Sequence, residues 1–123
     1  MTSSTVTSPT EVRAPLLDLH KSLVDAERIQ YERARGRLEN AEFLKVLMED
    51  AQLSWLKPLT ALIVRLDEAL EDGGDGAGVA AQLRLLLLPD PHGSAFQRRY
   101  AEVLQLSPDA VVDHGRTLHA LTA

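Results

Sequence analysis

Residues 59–70 read LTALIVRLDEAL, with Leu62, Ile63, Leu66 and Leu70 at offsets of 3, 4, 7 and 11 from Leu59. That spacing gathers five aliphatic side chains on one face of a helix, and a strand, with its period of two, would scatter them. The helix is predicted to end near Asp72, inside the acidic, glycine-rich loop Glu71–Gly78 (EDGGDGAG). Pro58 stands at its other end. Proline lacks the N–H a helix interior needs and its ring clashes with the preceding turn, so the pattern must kink or break there. The expectation is a proline-kinked central helix. Upstream, two arrangements stay open: Asp50 caps a new helix, or a helix capped by Asn40 runs on through Trp55.

Working outward, Phe43, Leu44, Leu47, Met48 and Ala51 form the apolar face of that second helix, with Glu42 in its first turn. Before it, nothing from Pro15 to about Arg35 interrupts a helix, and Leu16, Leu19, Leu23, Ala26 and Ala34 fall near one stripe. Pro15 suits a first turn and Gly36 a C-terminal stop. Residues 1–12, opening MTSSTVTSPT, are expected to form a disordered tail. Beyond the glycine-rich loop, a helix over about Ala77–Leu88 is almost all apolar near its end and is expected to be buried on several sides. PDPHG at 89–93 reads as a turn. Ser94 with Gln97 makes a capping box for a helix facing Phe96, Tyr100, Val103 and Leu104 inward. Ser107-Pro108-Asp109 opens the last helix, which carries Val111, Val112, Leu118 and Leu121.

Composition agrees with an all-α fold. Leucine fills 22 positions and alanine 15, while aromatic residues make up 4%, so good helix formers dominate and strand formers are scarce. The predicted architecture is a compact bundle of five to six helices, with residues 13–123 as one domain; 123 residues can bury a core without staples. Zero cysteines remove disulfides and thiolate chemistry. A net charge of −5 argues against a general nucleic-acid binder. The polar start has no apolar stretch of a secretory signal, and no apolar run approaches the ~20 residues of a membrane span. A soluble cytoplasmic protein is expected.

Signals for chemistry are few. His114 and His119 are five apart, not the three or four that put two imidazoles on one helix face, while His20 and His92 stand alone. The E-x-x-H of di-iron bundles, the phosphate loop G-x-x-x-x-G-K-[ST] and the elbow G-x-S-x-G do not occur. No catalytic residue, metal site or cofactor is expected. In Glu27–Glu39 (ERIQYERARGRLE) four arginines are answered by Glu27, Glu32 and Glu39, which reads as a solvated ion-pair face. His20 lies among Leu16, Leu23 and Val24, so its ring is expected to be partly buried, with Asp67 as the candidate partner or co-ligand. Trp55, between Leu53 and Leu56, widens the apolar arc beyond one core contact. These three are the candidate interface residues.

The segments L-H-K-x-L-x-D-A-E-R-x-x-Y-E-R at Leu19–Arg33, W-L-x-P-L-x-x-L-I-V-x-x-D-E at Trp55–Glu68 and SAFQRRY at Ser94–Tyr100 resemble a family of small bacterial helical proteins. Where those relatives carry Asp-Pro before the tryptophan helix, this chain has Asp50-Ala51. The resemblance implies a helical fold and transfers no activity. The functional expectation is therefore a non-catalytic interaction or regulatory module, partnered by a second copy or another protein, with no membrane or nucleic acid involved. The alternative is a small-ligand or metal-binding bundle using His20 and nearby carboxylates.

Overall fold

A computed structural model describes residues 9–74 and 76–122. Among them the chain runs α1 (Pro9–Arg35), α2 (Asn40–Glu49), a 3-10 segment (Ala51–Leu56), α3 (Lys57–Glu71), α4 (Ala77–Leu86), α5 (Ala95–Leu106) and α6 (Pro108–Thr122), with no strand. The all-α bundle read from the sequence is the fold.

Helix α1 is the spine. Its 27 residues span about 40 Å, and its neighbours lie antiparallel on two sides. Along one side Arg13 meets Asp67 and His20 meets Thr60 of α3. The same pairing continues into the 3-10 segment, where Arg35 reaches Gln52. Along another side Asp18 meets Arg116 and Ser22 meets Asp113 of α6. One cluster of buried side chains, including Leu16, Leu19, Leu23, Leu59, Leu66, Leu83, Tyr100 and Leu121, joins α1, α3, α4, α5 and α6.

Local chemistry sets most of the boundaries. Gly36 ends α1 with φ 93°, a left-handed conformation that glycine adopts without a Cβ clash, and its N–H bonds the Glu32 carbonyl at 2.8 Å. Asp50 is the cap of the 3-10 segment, accepting from the Gln52 N–H at 2.7 Å, so the helix opened near Asn40 does not run through Trp55. Ser94 and Gln97 form the expected capping box, with hydrogen bonds of 3.1 and 2.9 Å. Ser107 Oγ accepts from the Ala110 N–H at the start of α6.

Three boundaries differ from expectation. Helix α1 begins at Pro9 rather than Pro15, so residues 9–12 of the expected tail are helical and Val12 is only 1% exposed; residues 1–8 lie outside the described residues. Pro15 forfeits only the hydrogen bond to the Glu11 carbonyl, on an exposed residue near the helix end. Burial of Val12 offsets that loss. The cap of α2 is Glu39, whose N–H bonds Glu42 Oε1 at 3.2 Å, and Asn40 is the first helical residue. Finally, Pro58 does not kink a continuous helix. It occupies the first turn of α3, where its missing N–H needs no partner.

Because Val12 sits in the core, Val12→Ala should lower unfolding stability by about 2 kcal/mol. Chemical denaturation followed by circular dichroism measures this; an unchanged midpoint would return residues 9–12 to the tail.

Candidate functional site

The interior is organised by a carboxylate. Glu27 follows Leu16, Leu19 and Leu23 down the buried face of α1 at a helical spacing of four, and its side chain is 0% exposed. Arg99 of α5 grips it side-on, Nη2 donating to Oε1 at 2.5 Å and Nε to Oε2 at 3.4 Å. The Trp55 Nε1–H donates to Oε2 at 2.9 Å. Arg99 also reaches Glu102 at 3.2 Å, and the Glu27 hydrogen bond holds the guanidinium even more firmly protonated. From Trp55 a ring ladder runs through Phe96, Tyr100 and His114 with centroid separations of 5.2, 5.3 and 5.3 Å. It ends on the Tyr100 hydroxyl and His114 Nδ1, 2.5 Å apart. Burial pushes the Tyr100 hydroxyl's pKa up and the His114 imidazole's down, so the contact joins two uncharged groups that share one proton.

This arrangement turns the three candidate interface residues inward. Leu53 and Leu56 are buried, and half-buried Trp55 turns inward because its only N–H bonds Glu27 and its ring packs on Phe96. None of the three presents an outward anchor. The charged run Glu27–Glu39 is also less solvated than its composition implies. Glu27 is internal, and Arg28 clamps the turn to α2 through the Leu38 carbonyl at 2.7 Å and Asn40 Oδ1 at 3.0 Å. Arg28 also covers the Phe43 ring, and Arg35 covers Tyr31. Arg28 also pairs with Glu32 at 3.3 Å. The Leu38 N–H bonded to Glu32 holds that carboxyl below its ordinary pKa.

His20 is half-buried, as expected, but its partner is Thr60 at 3.3 Å; Asp67 is taken by Arg13 at 2.7 Å. One helical turn separates Thr60 from Ile63 and nearly two from Asp67 along α3, so the acid falls opposite Arg13 instead. Thr60 gives its proton to the Leu56 carbonyl and so accepts from His20 Nε2–H. Burial lowers the His20 pKa. The imidazole stands at the rim of a cavity of about 460 Å³ between α1, α2, the 3-10 segment and α3. Leu47, Met48, Leu53, Leu56 and Ala61 supply its apolar wall, and Lys57, Thr60 and His20 its polar edge.

Helix α2 faces outward more than its apolar count implies. Only Phe43 is buried, while Leu44 is 56% and Met48 68% exposed, four residues apart on one face. Val64 is 53% exposed, one turn beyond Ala61 on α3. The apolar stretch at the end of α4 buries Leu83 and Leu87 and leaves Leu85 and Leu88 exposed, and Val111 and Val112 of α6 are exposed. Among the described residues no group of three His, Asp or Glu side chains is placed to hold a metal, and no helix is long and apolar enough to cross a membrane. No protein-family model, curated protein or solved structure matches the chain, so the site's chemistry alone carries the functional reading.

Two outcomes follow from the buried groups. Arg99→Met strands the Glu27 carboxylate and should cost about 3 kcal/mol, whereas Glu27→Leu combined with Arg99→Met should recover most of the loss. Denaturant titration of both variants checks this, and a double variant as unstable as the single would contradict it. For pH, His20 and His114 have folded-state pKa values below 6.5, so below that value the unfolded chain binds more protons. Their contribution is complete above pH 6.5 and is lost as pH falls below it. Melting temperatures should drop on acidification from neutral pH toward 5.5, and His20→Gln with His114→Gln should flatten that slope.

Proposed function

We propose that the protein is a cytoplasmic, non-catalytic interaction module that works as a homodimer through the outward face shared by α2 and α3. The carrying observation is an apolar groove edged by exposed Met48 and Ala61, with exposed Leu44 and Val64 one helical turn from them on α2 and α3. Contiguous apolar surface of this kind marks association sites on soluble chains. A protruding Met48 next to a groove also gives one patch both a projection and a recess, as a self-complementary two-fold interface requires. The interior supports the same reading. Among the described residues every buried side-chain polar atom has a partner, so the internal polar groups are engaged in holding helices together. Elsewhere, exposed Leu85 adjoins Gln82 and Gln97, whose amides already bond Arg65 and the Leu85 carbonyl.

A second reading takes the cavity as a small-ligand site. Lys57 and His20 at its edge, with no carboxylate among its lining residues, favour an apolar molecule with an acidic head. Native mass spectrometry of the purified protein separates the two readings, as a doubled mass in one case and a small added mass in the other.

Sedimentation velocity over a dilution series tests the homodimer. The unaltered chain should pass from dimer to monomer on dilution. Leu44→Ser with Met48→Ser should be monomeric throughout, with an unchanged helical spectrum. A parent chain monomeric at every concentration, or a variant that still dimerises, would overturn the proposal.

A further inference from the structure

The outer face of α3 is its own complement. Leu59, Leu62 and Leu66 turn inward, and the positions on the opposite side of the wheel are Lys57, Ala61, Val64 and Glu68, all exposed. Steps of four, three and four residues keep these side chains on one stripe about 16 Å long. The stripe begins with a cation, ends with an anion and is small and apolar between. Among the described residues neither Lys57 nor Glu68 forms an ion pair.

We infer that two copies of the chain pair α3 against α3 in antiparallel orientation, with Lys57 of each copy facing Glu68 of the other. A two-fold axis midway between residues 62 and 63 brings position i opposite the position numbered 125 − i. Lys57 then meets Glu68, and Ala61 meets Val64, each twice. One operator thus satisfies both charges and both apolar positions. A register one turn away either leaves Lys57 facing Val64, or pairs it with Glu71 and strands Glu68 opposite Thr60; both split the Ala61–Val64 match. The small side chains let the backbones approach. Met48, which shares the groove edge with Lys57 and Ala61, adds apolar surface at the end where the other copy brings Glu68. This inference rests on the homodimer reading above and adds its orientation and register.

Charge reversal gives a direct test, because the substitutions favour the fold. Lys57→Glu puts an acid in the first turn of α3 and Glu68→Lys puts a base in its last turn, both matching the helix dipole. Lost association therefore cannot be ascribed to a weakened helix, and thermal melts of each variant confirm this. Dimer dissociation constants come from sedimentation velocity at low ionic strength. Each single reversal sets like charges together at both symmetric contacts and should weaken the dimer about tenfold. Lys57→Glu with Glu68→Lys exchanges the charges and should restore the parent constant to within about threefold. Singles that dimerise like the parent, or a double variant as weak as the singles, would overturn this register. If the same chains still lose association through Leu44→Ser with Met48→Ser, the homodimer reading survives and only the register falls. A parent chain that never dimerises removes both.

Discussion

The structure turns on one buried carboxylate. Taking an ionised side chain fully out of water costs several kcal/mol unless its charge and lone pairs are met, and Glu27 is met from two directions. Arg99 supplies two N–H groups and the opposite charge; Trp55 supplies a third donor. These bonds fix three elements at once: α1, α5 and the 3-10 segment. They also fix which way the tryptophan points. With Trp55 drawn inward onto Phe96, Leu53 and Leu56 follow it into the interior, and the next turn of chain delivers Pro58 to the start of α3.

That inward turn decides where apolar surface is left over. Helix α2 is linked to the rest through Phe43 and the Arg28 clamp on the preceding turn, so Leu44 and Met48 stay in solvent. Helix α3 contributes Leu59, Leu62 and Leu66 to the core and leaves Lys57, Ala61, Val64 and Glu68 on its far side. Core and outer face thus use disjoint sets of side chains on the same helix. Changes on the outer stripe leave packing density and buried hydrogen bonds untouched, so association and folding can be altered separately.

Polar side chains divide along the same line. His114 and Tyr100 close the ring ladder between α5 and α6, Thr117 returns its hydroxyl to the Asp113 carbonyl at 2.7 Å, and Asp113 accepts from Ser22. Tyr100, His114 and Asp113 are thereby committed to neighbouring helices, and Thr117 to its own. His20 differs in facing a cavity while bonded to Thr60.

By itself the sequence determined the helices and most of their ends. Leucines at three- and four-residue spacing, Gly36 as a stop, the Ser94–Gln97 box and Ser107-Pro108 all act through contacts within one or two turns, and such contacts are written in neighbouring residues. The burial of Glu27 left a trace too: it continues the Leu16–Leu19–Leu23 stripe, a position that a solvated ion pair would not occupy. Tertiary structure decided the rest. Whether Leu44 and Met48 are covered depends on which helix lies over α2, whether Asp67 finds His20 or Arg13 depends on the stagger of α3 along α1, and the partner of Glu27 lies 72 residues away. Helix periodicity specifies a face, and it carries no information about what that face meets.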